Sequence, residues 1–203
     1  MSTSQATTNV FFSGVGGQGT ILASNILGQV LLRAGYDVKK AEVHGMAQRG
    51  GDVTTHFRFG ARVHSPLIRQ GDVDLLIAFE LLEGLRYIDW LKPDARIVLN
   101  NHRILPPAVS LGKMEYPADV AGTFRKHFGG NAHLVEGTGI ARALGNVQVA
   151  NVVLLGALSF LFPDLGEERW LEALREILPP RLQEINVRAF LEGRGCLAGR
   201  GQG

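Results

Sequence analysis

Cysteine is almost missing from this chain of 203 residues. The single Cys196 excludes an internal disulfide framework, and it excludes any iron–sulfur or cysteine-rich zinc site built from this chain alone. A reducing cytoplasm is the compartment that such usage implies. Charge is scarce in a second sense, because 21 basic residues against 19 acidic ones leave a net +2. No block of Lys or Arg supplies the footprint of a nucleic-acid binder. No apolar run nears the roughly 20 residues that cross a bilayer, and residues 1–9 lack both the positive charge and the apolar stretch of a signal peptide. A soluble, unexported protein without a membrane span is expected.

Catalytic signatures are also missing. The chain has no G-x-S-x-G elbow, no H-E-x-x-H and no Walker loop, and its six histidines show no metal spacing. Hydrolase and metalloenzyme readings therefore lose their support, and no metal ligands are assigned.

What is present is glycine, 26 residues of it, placed to most effect in two connections. The first is Gly14-Val15-Gly16-Gly17-Gln18-Gly19, which follows a buried strand over 10–13 and precedes an amphipathic helix over 20–34. Gly14, Gly16 and Gly19 fit the G-x-G-x-x-G spacing, in which the glycines serve the turn, the backbone approach to a ligand and the packing of helix on strand. Free N–H groups at such a helix start suit an anion, commonly a phosphate. The plain alternative is a tightened βα turn with no ligand.

The second connection, 42–51, reads Glu42-Val43-His44-Gly45-Met46-Ala47-Gln48-Arg49-Gly50-Gly51. It is too polar for a core and too particular for a spacer, and such loops carry sites. A mobile surface connection is its bland reading.

The rest of the chain alternates. A second strand is expected over 36–43. Over 53–59, Val53, Thr55, Phe57 and Phe59 alternate with Thr54, His56 and Arg58, which predicts a strand with one buried and one wet face. Residues 62–65 are read as its short hairpin partner. The apolar run 73–79 suits a central parallel strand, followed by a helix over 80–91, a strand over 95–99, a helix over 118–128 and a strand over 132–135. Helical pieces are then expected over 140–162, with a break at Gly145-Asn146, and over 167–178 and 181–191, split by Pro179-Pro180.

The fold class is α/β: a Rossmann-like, mostly parallel sheet flanked by helices, with a β-hairpin insertion and a C-terminal helical extension. Residues 1–192 form one domain, and 193–203 form a flexible Gly/Arg-rich tail.

Parallel strands place their ligand crevice beyond the carboxyl ends. Besides the two glycine connections, Glu80, Asn100, Asn101, His102, Glu136, Gly137 and Thr138 follow predicted strands directly, so one rim collects them. Singly, each has an ordinary role: Glu80 as a helix-start carboxylate, Asn100 as a turn former, His102 as a loop histidine. A ribose-binding carboxylate beyond the glycine turn would be Asp37 or Glu42, and neither sits cleanly. Gly71-Asp72-Val73 with Asn100-Asn101 imitates a thiamine diphosphate signature, but Asp72 precedes its strand and should lie at the wrong sheet edge.

With Gly14 to Gly19 followed by Glu42 to Gly51, the chain resembles the gamma-type subunits of 2-oxoacid:ferredoxin oxidoreductases, and within them the indolepyruvate oxidoreductase beta-subunit branch. Ser65-Pro66-Leu67-Ile68, Asp74 to Glu80, Leu85-Arg86-Tyr87, and Gly145-Asn146 through Asn151 to Gly156-Ala157-Leu158 extend the likeness over nearly the whole chain.

The resemblance implies a non-autonomous subunit of an enzyme that decarboxylates a 2-oxoacid such as indolepyruvate, reduces ferredoxin and releases an acyl-CoA. Thiamine diphosphate, Mg and 4Fe-4S clusters then belong to a larger partner subunit, coenzyme A is a co-substrate, and this chain binds no cofactor alone. By the same resemblance, Gly14, Gly16, Gly17, Gln18, Gly19, Glu42, His44, Gly50 and Gly51 face the partner's active centre or the coenzyme A path. Gln48 and Arg49 are the candidates for orienting a carboxylate or phosphate. Two other readings stand beside it: a self-sufficient NAD(P)-dependent dehydrogenase and a non-catalytic binding or scaffold module.

Overall fold

The structure, a computed structural model, describes residues 7–44 and 51–198. Strand β1 (Thr8–Val15) leads through the glycine turn into α1 (Thr20–Arg33), then β2 (Asp37–His44) and β3 (Asp52–Gly60). After a long crossing come β4 (Val73–Ala78), α2 (Leu81–Leu85), a 3-10 turn (Ile88–Trp90) and β5 (Leu91–Asn100). The one-turn α3 (Pro107–Ser110) and α4 (Val120–Phe128) precede β6 (Ala132–Val135) and α5 (Gly137–Ala143). Three helices follow: α6 (Ala150–Phe160), α7 (Glu167–Ile177) and α8 (Pro180–Ala198).

The strands make a six-stranded sheet in the order β2-β3-β1-β4-β5-β6. β1, β4, β5 and β6 run parallel, while β3 is antiparallel to both β1 and β2. The sheet is therefore mixed, and the insertion differs from the expected one. Residues 62–65 form no strand; β3 pairs instead with β2 over Asp37↔Gly60 to His44↔Val53. The segment after Gly60 crosses the sheet face.

Arg58 Nη1 donates to the Ser65 carbonyl at 2.8 Å, and the Ile68 N–H donates to His56 Nδ1 at 3.0 Å. The face of β3 expected to be wet is consequently covered, with Thr54 at 5% and His56 at 7% exposure. The helix expected over 80–91 stops at Leu85, because Tyr87 and Trp90 turn down onto Phe11 of β1 at centroid distances of 4.8 and 5.4 Å. A continuous helix would carry Trp90 away from that face.

Two cores result. The larger lies between one sheet face and α1, α6, α7 and α8; the smaller lies between the other face and α2 and α4. α6 is apolar all round, buried from Asn151 to Ser159, because it is sandwiched between the sheet and α8. The expected tail needs correction here. α8 continues to Ala198, and Gly193 and Leu197 are buried in it. Gly193 lies against the Val153 backbone, and Gly156 lies against the Phe190 carbonyl, so the two glycines let the helix backbones touch. Residues 199–203 lie outside the described residues.

His56 gives the fold a pH dependence. Its ring is edge-on to Phe11 at 5.0 Å and to Trp90 at 5.5 Å, and burial lowers its pKa. Nδ1 must stay unprotonated to accept from Ile68, so the neutral ring belongs to the folded state. A lowered folded pKa means that the unfolded chain takes the proton first. The stability contributed by His56 is thus complete above the ordinary imidazole value and is lost as pH falls through it toward the folded pKa. The thermal midpoint is expected to fall as pH drops below about 6.5, and that part of the slope should vanish in His56→Gln. An identical slope in the variant would assign the effect to other groups.

Candidate functional site

The glycine turn sits where β1 ends. Gly14 is the penultimate residue of the strand, wedged so that a Cβ there would meet Gln18, Phe79 and Thr20 side chains at 3.0 Å. Gly17 has φ +98°, and Gly19, the N-cap of α1, has φ +79°. Both values lie in the left-handed region, where a side chain is strained. No side chain caps α1, and a helix start leaves its first N–H groups without intrahelical partners at the positive end of the helix dipole.

Gln18 folds back as a brace. Its Oε1 accepts from the Val15 N–H at 2.7 Å, and its Nε2 donates to the Phe79 carbonyl at 3.0 Å. Asn100 Nδ2 donates to the same carbonyl at 3.0 Å and to Thr138 Oγ1 at 3.1 Å. Side chains from three places in the sequence thereby lace together the carboxyl ends of β1, β4 and β5 and the start of α5.

Above this lacing is a cleft of about 190 Å³, whose lining includes Gly17, Gln18, Asn100, His102, Thr138 and Gln148. Among the described residues no group of His, Cys, Asp or Glu could hold a metal ion.

The second glycine connection reaches the same lip. The Gly16 N–H donates to the Gly51 carbonyl at 2.9 Å, and β3 begins beside the end of β1 with Asp52 opposite Val15. Gln48, Arg49 and Gly50 lie outside the described residues. His44 closes β2 opposite Val53. Glu42, expected in the loop, lies within β2 and pairs with Lys40 at 2.7 Å. β3 also separates β2 from β1, two strand spacings or about 10 Å. That distance removes Glu42 from the ribose position of a dinucleotide site. Asp37, at the far end of β2, accepts from the Val63 N–H at 2.8 Å, so the dehydrogenase reading keeps no carboxylate.

Glu80 fills the ordinary role weighed for it. It is 1% exposed and caps α2, accepting from the Glu83 N–H at 2.9 Å, the Ile104 N–H at 3.0 Å and the Tyr116 hydroxyl at 2.6 Å. Burial first, and then Glu80 as acceptor, hold the Tyr116 hydroxyl well above its ordinary pKa. The same hydroxyl accepts from the Leu82 N–H at 3.0 Å, and the Leu81 N–H donates to the His102 carbonyl at 3.0 Å. The segment that carries His102 and Ile104 into the cleft wall is therefore stapled to α2. Tyr116→Phe leaves the Leu82 N–H without its acceptor and is expected to reduce unfolding free energy by about 2 kcal/mol in urea titration. An unchanged midpoint would mean that other contacts hold the staple.

Asn101 donates to Glu136, so two further rim residues pair with each other. Asp72 precedes β4 while Asn100 ends β5, and these strands are parallel. The imitation thiamine signature is split between opposite sheet edges. Sequence reasoning missed Asn151, whose Nδ2 donates to the Gly19 carbonyl at 3.3 Å across 132 positions of sequence; only its place in the resemblance block marked it.

Fold and rim together define an α/β domain whose carboxyl sheet edge presents a glycine turn, an uncapped helix start and a second glycine connection hydrogen-bonded to the first. The pyruvate ferredoxin/flavodoxin oxidoreductase family matches residues 9–196, and the chain belongs to it. Indolepyruvate oxidoreductase subunit IorB of Thermococcus kodakarensis is 41% identical over 186 residues, covering 90% of this chain and 92% of that one. The gamma subunit of a keto/oxoacid ferredoxin oxidoreductase from Geobacter sulfurreducens superposes with a TM-score of 0.69 over 94% of this chain and 99% of its own, at 23% identity. The 2-oxoglutarate:ferredoxin oxidoreductase from Magnetococcus marinus, solved with 2-oxoglutarate, coenzyme A and succinyl-CoA bound, gives 0.74 over 98% of this chain and 32% of that chain, at 22% identity. At such identities the two superpositions establish the fold.

Proposed function

We propose that this chain is the small subunit of a 2-oxoacid:ferredoxin oxidoreductase of the indolepyruvate type, working in the cytoplasm with a larger subunit that carries thiamine diphosphate, Mg and 4Fe-4S clusters. The reaction is oxidative decarboxylation of an aryl pyruvate to an acyl-CoA, CO2 and reduced ferredoxin. One observation carries the reading: the 2.9 Å hydrogen bond from Gly16 to Gly51, which puts both glycine connections on one lip beside the cleft. With a single cysteine, the chain relies on its neighbour for clusters.

The uncapped start of α1 suits a phosphate of coenzyme A. Nothing lies within 4 Å of the space a Gly17 side chain would take, so a ligand approaches the backbone there directly. Gly14, Gly16, Gly19 and Gly51 shape that approach, with His44 and Gly50 at the neighbouring connection. Gln18 acts through its brace, and Gln48 and Arg49 orient a carboxylate or phosphate, the guanidinium giving a bidentate hold.

The test is co-expression with the larger subunit, followed by 2-oxoacid-dependent and coenzyme A-dependent ferredoxin reduction. Arg49→Ala is expected to cut turnover about tenfold or more while the subunits still co-purify. Unchanged turnover would remove Arg49 from the site. Failure of the two chains to co-purify from the native host would end the subunit reading.

A further inference from the structure

At the sheet edge opposite the glycine lip, a hollow of about 340 Å³ lies between the amino end of β1, the end of β3 and the link from α6 to α7. One wall is aromatic. Tyr36 meets Phe59 edge-on at 5.4 Å between ring centroids, and Phe59 meets Phe162 at 6.0 Å. Thr8 adds a hydroxyl, and the charges are Arg96 from β5 and Asp164 from the link.

Arg96 Nη1 donates to the Leu161 carbonyl at 2.9 Å, the one hydrogen bond its guanidinium makes among the described residues. A guanidinium carries five donors in a planar fork suited to carboxylates. Among the described residues, most of that fork meets no acceptor. Asp164 is exposed at the mouth.

We infer that this hollow binds an aromatic α-amino acid, with its ring along Tyr36, Phe59 and Phe162, its carboxylate on Arg96 and its ammonium on Asp164. The volume is at the lower end of small-molecule sites, enough for one ring system and a short polar head. An apolar ligand would leave the rest of the guanidinium, beyond its bond to Leu161, desolvated without an acceptor. A phosphate or dianion would meet Asp164 as a like charge. A zwitterion matches one positive and one negative group that line the same hollow as the aromatic wall. Because this edge is remote from the cleft, the inference does not depend on the proposed reaction.

Calorimetric titration of the purified full chain decides it. L-Phenylalanine is expected to bind saturably with a Kd of roughly 0.1 to 1 mM. 3-Phenylpropanoate, which lacks the ammonium, should bind about fivefold more weakly, and glycine, which lacks the ring, should give no saturable heat. Arg96→Met should weaken L-phenylalanine about tenfold or more. Asp164→Asn should weaken it about fivefold while leaving 3-phenylpropanoate unchanged.

No saturable heat up to roughly 10 mM, or wild-type affinity in a folded Arg96→Met, would overturn the assignment. Equal binding of L-phenylalanine and 3-phenylpropanoate would overturn the amino-acid part of it. Should Arg96→Met fail to fold, Asp164→Asn, altered at an exposed position, and the ligand pair carry the test.

Discussion

Gly193→Ala is expected to destabilise the protein by about 3 kcal/mol and lower its thermal midpoint by about 10 °C. The reason lies in the crossing of α6 and α8, the most extensive helix contact in the molecule. A Cβ on Gly193 would overlap the Val153 carbonyl, and one on Gly156 would overlap the Phe190 carbonyl. Both obstacles are helical backbone, which cannot rotate away as a side chain does. The helices must separate, and separation loosens Phe190, Ala189 and Leu197 from the larger core.

Gly195 supplies the internal control. It lies two residues on in the same helix, and a Cβ there meets nothing within 4 Å. Gly195→Ala should therefore stabilise by up to about 1 kcal/mol through helix propensity alone. Opposite signs for the two substitutions, read by scanning calorimetry, separate packing from propensity. Equal effects would show that the α6–α8 contact is looser than described.

That comparison also shows why parts of the chain were legible and others not. The apolar run over 73–79, the glycine turn before α1 and the proline pair at the start of α8 each encode local preference in a few neighbouring residues, and the structure places β4, α1 and α8 there. Direction of a strand is another matter. The alternation over 53–59 separates the two faces of the strand, and it reads alike whichever way β3 runs. Its antiparallel pairing to β1 was therefore hidden, and so was the cover over Thr54 and His56 by a segment fixed through Arg58 and Ile68.

Gly193 failed for a related reason. A glycine kept for close approach and a glycine in a loose tail look the same in composition. The signal that separates them was nonetheless there: Phe190, Gly193 and Leu197 recur at i, i+3 and i+7, the stripe of a packed helix.

At the site, the rim residues were legible because they follow strands, and Asn100, His102 and Thr138 do line one cleft. Their roles were less so, since Glu80, Gln18 and Asn100 turn out to brace backbone carbonyls and N–H groups.

Gly19→Ala should have the largest effect on the cleft, and comparison with Gly17→Ala shows why. Both positions hold left-handed φ, +98° at Gly17 and +79° at Gly19. An alanine in that region costs about 1 to 2 kcal/mol. At Gly17 nothing lies within 4 Å of the new Cβ, so the backbone penalty is the whole effect. Asparagine, which tolerates that conformation, should recover part of it.

At Gly19 the Cβ would overlap the Asn151 amide, with the Asn151 Cγ at 2.9 Å. Asn151 must then give up its 3.3 Å bond to the Gly19 carbonyl, and at 4% exposure its amide has no water to turn to. The added loss is about 1 to 3 kcal/mol. It falls on the joint between the start of α1 and α6, where the proposed phosphate contact is made. In the assembled oxidoreductase, Gly19→Ala is expected to raise the KM for coenzyme A by about tenfold or more, well beyond the change in Gly17→Ala.

The double variant Gly19→Ala with Asn151→Ala removes the overlap but not the strained φ. It should therefore be more stable than the sum of the single changes predicts, with a coupling of about 1 kcal/mol. If the two changes simply add in denaturant titrations, Asn151 does not press on the turn, and the link between α6 and the uncapped helix start has to be abandoned.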